Sequence, residues 1–130
     1  MSDDRFREAE LLHTNGFHSG AYYLSGYAVE YGLKAVICKR LNIEMFERKI
    51  VPGEVAKAFQ IHDIEYLIIL AGLHQDLEDL KSDDAAFAKA WSLVSEWSEQ
   101  RRYDYGCKPE TAGRFLQAVK AVMAWIRKNW

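Results

Sequence analysis

Cysteine is scarce in this chain: Cys38 and Cys107 stand far apart and form no CxxC pair. A disulfide framework does not fit that usage, and reduced thiols in a cytoplasmic protein are expected. Basic charge is lacking as well, since the formal net charge is -2. Whole-molecule electrostatics therefore give no general attraction to nucleic acid or membrane, and any nucleic-acid role needs a local basic cluster. No apolar run reaches membrane length. The best candidate, Ala21 to Leu33, is interrupted by Glu30 and ends in Lys34, well short of the roughly 20 residues a span needs. The acidic start, MSDDRFREAE, has no apolar segment of the kind that forms a signal peptide.

Catalytic and cofactor motifs are missing too. The histidines His13, His18, His62 and His74 make no HxxxH or HExxH, and none pairs with a cysteine at ligand spacing, so no metal is expected. There is no GxxxxGK[ST], GxGxxG or GxSxG. Gly20, Gly26 and Gly32 recur every sixth residue, which is a packing pattern and not a phosphate loop.

Strand signals are few, and helical periodicity fills the chain. Phe6, Ala9 and Leu12/His13 mark one face of a first helix, with Ser2 as its cap and Asn15-Gly16 as its end. A long second helix is expected over about Ser19 to Leu41, apolar nearly all round as a surrounded helix should be. Ala21, Ser25, Ala28, Gly32 and Ala35 form a seam of small residues along it, spaced for close backbone approach. The pattern breaks from Ile43 to Gln60, with a turn at Pro52-Gly53. A third helix carries Ile61, Ile64, Leu67, Ile68 and Ala71 and ends near Gly72. Ser82-Asp83-Asp84 caps a fourth, with Phe87, Trp91, Val94 and Trp97 on its apolar face. Pro109 opens a fifth, which turns Ala112, Phe115, Leu116, Val119, Val122, Met123 and Ile126 inward. The expectation is one all-α domain over 1–130, a bundle of four to five helices with the second one most buried.

Two stretches hold polar chemistry. Glu30 and Lys34 are an i,i+4 pair on the most apolar helix, and Tyr23 and Tyr27 extend their stripe upstream. Unpaired buried charge is costly, so the pair is expected either as a self-satisfied ion pair at the bundle rim or as part of a polar cleft open to a ligand. The second stretch is WSEQRRYDYG, Trp97 to Gly106. Arg101 and Arg102 can offset a helix C-terminus, or with Tyr103 and Tyr105 they can seat a phosphate and a base.

These residues also carry a family resemblance. AYYLSGYAVEYGLKAVI, IHDIEYLIILAGL and WSEQRRY resemble, in order, the signature segments of HEPN domains, and the likeness extends from about Arg7 to Ile126. It implies an up-down helical bundle, a homodimer, and a role either as helper of a small nucleotidyltransferase or as an RNase of a toxin or defence system. The RNase branch uses an Arg followed, after four to six intervening residues, by a His. Here the matching arginine is Arg102, position 107 is Cys107, and no histidine follows His74. Arg7 and His13 have a permitted spacing but stand about 120° apart around one helix. The implied function is a non-catalytic nucleotide- or partner-binding module, without cofactor or metal. Its ligand-binding candidates are Arg101, Arg102, Tyr103, Glu30, Lys34 and Tyr27. The alternative is a metal-independent RNase using Arg102 without the usual His, acting on RNA.

Overall fold

The computed structural model describes residues 2–41, 63–97 and 107–129. Among them every regular element is a helix: α1 (Ser2–Thr14), α2 (His18–Leu41), α3 (Ile64–Leu70), α4 (His74–Asp83), α5 (Ala85–Ser95) and α6 (Pro109–Arg127). None is long and apolar enough to cross a membrane. The expected break at Pro52-Gly53, the start of the third helix at Ile61, and the Arg101 to Gly106 stretch lie outside the described residues.

Local chemistry explains the boundaries. Gly16, at φ 86°, closes α1: its N–H donates to the His13 carbonyl, and the Phe17 N–H donates to the Leu12 carbonyl. Gly72, at φ 73°, closes α3 the same way, through Ile69 and Ile68. Both are Schellman turns, and an L side chain at either glycine would be strained. Asp63 caps α3 through the Tyr66 N–H, and Asp84 caps α5 through the Phe87 N–H. Pro109 occupies the first turn of α6, as its sequence position predicts.

Two details differ from the sequence reading. Ser2 does not cap α1. It is the helix's first residue, and its hydroxyl donates to the Ala28 carbonyl at 2.7 Å, stitching α1 to α2. There is also a helix more than the four to five expected. His74–Asp83 reads HQDLEDLKSD, and Leu77 is its one buried residue, too thin an apolar face to register as periodicity.

At the centre, α2 packs against α1, α3 and α6, while α5 packs against α4 and α6. Four of the five seam residues, Ala21, Ser25, Ala28 and Gly32, are buried, whereas Ala35 is exposed. Ala21 meets Ala9 and Leu116, and Gly32 meets Met123 and Ile126 of α6. All seven residues expected to line the inner face of α6 are buried, together with Ala118 and Trp125. Phe87, Trp91, Val94 and Trp97 are buried as well. An Asp3–Arg127 ion pair joins the outer end of α1 to the end of α6.

Candidate functional site: a cationic cleft beside the central helix

The polar stripe of α2 divides into two environments. Upstream, the Tyr23 hydroxyl donates to that of Tyr27 at 3.0 Å, and both side chains are half-buried. The Tyr27 ring meets Trp97 edge-on at 5.1 Å and stacks on Tyr31 at 5.8 Å. Downstream, Lys34 Nζ donates to Glu30 Oε1 at 3.1 Å, with side-chain exposures of 5% and 0%. The pair therefore lies inside the bundle and not at its rim. Each charge here needs a partner, because a lone charge at this depth would lose its hydration without return.

A cleft of about 560 Å³ opens near the other end of α2. Ser19 and Tyr22 form one wall, and Lys89 and Leu93 of α5 form a second with Glu96, the residue that caps its end. Cys107, Lys108, Thr111, Arg114 and Phe115 close it at the start of α6. Each wall has a local cause. Phe87, Trp91 and Val94 bury one face of α5, so Lys89, Leu93 and Glu96, spaced four and three apart, share another. The Cys107 N–H donates to Ser19 Oγ at 3.3 Å, tying the approach to α6 to the start of α2. Tyr22 stacks on Phe115, centroids 4.0 Å apart at 24°, and this pair forms an apolar floor.

Among the described residues the charge lining the cleft is three cations against one carboxylate, in a chain of net charge -2. Among the same residues Lys89, Lys108 and Arg114 form no ion pair, and Arg114 Nε reaches the Glu110 carbonyl at 3.4 Å. Lys108 precedes Pro109 at the head of α6 and makes no side-chain cap. The first-turn N–H groups of Glu110 and Thr111 thus add their partial positive charge at that end. Cations, exposed amides and an aromatic floor together can receive an anion attached to a flat or apolar group.

Of the residues singled out in sequence, Tyr27, Glu30 and Lys34 belong to the α2 stripe and none of them lines this cleft. Arg101, Arg102 and Tyr103 lie outside the described residues. Sequence reasoning passed over Lys89, Lys108 and Arg114, because they come from two helices and make no basic run. The available signal was Lys89, opposite the Phe87/Trp91/Val94 face, together with Lys108 and Arg114 flanking the helix start at Pro109. Cys38 is buried, and that burial pushes its thiol pKa up. Among the described residues no group of three or more His, Cys, Asp or Glu could hold a metal ion.

No protein-family model matches the chain, and no solved structure matches it. The low-reducing polyketide synthase drtA of Aspergillus calidoustus is 25% identical over 135 residues, an alignment covering 97% of this chain. That stretch is 6% of the synthase, so the chain is similar to a small part of a much longer protein.

Proposed function

We propose that the chain is a HEPN-type, non-catalytic binding module that takes a phosphorylated nucleotide into the cleft between α2, α5 and the head of α6. The carrying observation is the trio Lys89, Lys108 and Arg114, which lines one cavity without an ion-pair partner among the described residues. In this reading Arg114 and the two lysines meet the phosphates through charge-assisted hydrogen bonds, and the Tyr22–Phe115 floor supports the base or sugar. The three sequence segments that resemble HEPN domains support the same reading. So does their order, and so does the absence of a histidine after His74. Arg101, Arg102 and Tyr103, which precede Cys107 in the sequence, are further ligand candidates implied by the resemblance. The module works as a homodimer and as helper of a small nucleotidyltransferase, following the resemblance.

Titration calorimetry with ATP and GTP tests this. Wild type binds, and Arg114→Ala or Lys108→Ala weakens binding by about ten- to hundredfold, the loss of one charged contact worth roughly 1.5–3 kcal/mol. Raising salt weakens wild-type binding as well, since the cleft is open to solvent. Absent wild-type binding, or affinity unchanged in both variants, removes the cleft from consideration. Incubation with single-stranded RNA is expected to leave it intact; cleavage that disappears in Arg102→Ala overturns the non-catalytic assignment.

A further inference from the structure

The turn between α1 and α2 brings two imidazoles together. His13 is in the last turn of α1, and His18 is the first residue of α2. Their Nδ1 atoms stand 2.9 Å apart, with ring centroids at 4.9 Å and an interplanar angle of 67°. Both rings are half-buried. The Schellman closure at Gly16 holds them in this relation, because it fixes how α2 departs from α1.

We propose that His13 and His18 form a two-imidazole site for a late first-row divalent metal ion, with Cu²⁺ or Ni²⁺ preferred over Zn²⁺. Two imidazole nitrogens bound at about 2.0–2.1 Å stand about 2.9–3.4 Å apart as the angle at the metal runs from about 90° to tetrahedral, so the 2.9 Å hydrogen-bonded pair is already within reach of one ion. The preference for Cu²⁺ and Ni²⁺ follows from the affinity of imidazole sites for late first-row ions. Without metal, one ring donates its Nδ1 proton to the other. Ligation needs both Nδ1 lone pairs, so the donor ring loses that proton to water and takes one up on Nε2. In that exchange the proton given up at Nδ1 is matched by the one taken up on Nε2.

The surroundings leave room for the remaining ligands. His13 borders a cavity of about 410 Å³, and His18 borders another of about 490 Å³. With no third protein donor completing a set among the described residues, water fills the other positions. Gly113 of α6 offers no side chain where His13 Nε2 comes within 3.5 Å of its missing Cβ, so that edge of the ring is not crowded. No sequence pattern advertises the pair, because it is five residues apart across a helix break.

Calorimetric titration of the full chain with CuCl₂ and NiCl₂ tests the site. One ion per chain is expected, with affinity at least about tenfold weaker in His13→Ala and in His18→Ala. His74→Ala, on the exposed side of α4, retains wild-type affinity. Electron paramagnetic resonance of the Cu²⁺-loaded wild type needs no variant and is expected to show coupling to two imidazole nitrogens. Coupling to one nitrogen or none, absence of binding, or binding that survives either His13 or His18 substitution overturns the proposal.

Discussion

Two groups of cations in this molecule differ in what surrounds them. Lys34 is buried on α2 and bonded to Glu30, whose side chain has no exposure at all. Lys89, Lys108 and Arg114 face an open cleft and have no ion-pair partner among the described residues. In the first group the ammonium is part of the packing, and its partner defines it. In the second, water satisfies the charges, and a ligand could replace that water at little cost. The lesson is that a cation conspicuous in sequence for sitting among apolar residues is the one least available to a ligand. Ordinary-looking cations from two separate segments line the open cleft.

The contrast breaks most sharply on the buried side. Glu30→Gln or Lys34→Met breaks the buried Glu30–Lys34 ion pair and should destabilise the fold by up to about 3–5 kcal/mol. Urea unfolding followed by circular dichroism measures this, and a loss under about 1 kcal/mol would mean that water reaches the pair. Gly26→Ala is the next largest effect. An added Cβ there overlaps the indole of Trp97, which is itself buried, its N–H finding no acceptor among the described residues. Overpacking costs roughly 1–3 kcal/mol, offset in part by up to about 1 kcal/mol of helix propensity. A Gly26→Ala variant as stable as wild type would show that Trp97 can move aside.

The cleft cations should behave in the opposite way. Lys89→Ala, Lys108→Ala and Arg114→Ala each remove an exposed charge with no ion-pair partner, so unfolding free energy should change by less than about 0.5 kcal/mol. The same variants carry the affinity losses expected for the nucleotide. A variant that loses both stability and binding would assign its cation to the architecture and erase the distinction.

Much of this was legible before any coordinates. The apolar faces of α5 and α6 follow directly from spacing, and so does burial along most of α2, because those helices commit a whole stripe to the core. The fourth helix was not legible, since burying Leu77 alone leaves almost no periodic signal. Ser2 misled because a hydroxyl at a helix start reads as a cap, while its actual acceptor, the Ala28 carbonyl, is 26 residues away. The Glu30–Lys34 contact was readable from i,i+4 spacing, but its dryness was not, because burial depends on what the neighbouring helices bring. The cleft and the His13–His18 pair are tertiary throughout. Lys89 and Arg114 come to line one cleft, and His13 meets His18, only after helices have packed or turned.

The cysteines repeat the comparison on a smaller scale and give the gentlest test of it. Cys38 is on the dry side of α2, while Cys107 is half-buried on the wall of the cleft. Burial raises the Cys38 thiol above its ordinary value of 9.0, because the thiolate would lose its hydration. As pH rises past that ordinary value the unfolded chain gives up this proton first, so the folded state binds more protons than the unfolded one. The associated stability is complete below the ordinary value and is lost progressively as pH climbs through the raised one. Urea midpoints between pH 8 and pH 10.5 should therefore fall more steeply for wild type than for Cys38→Ala. Tyrosine and lysine titration is common to both chains and cancels in the comparison of slopes. Alkylation at pH 8 gives a second reading, with Cys107 modified in the folded protein and Cys38 only when urea opens the bundle. Equal slopes together with equal alkylation rates would place both thiols in water and contradict a dry face on α2.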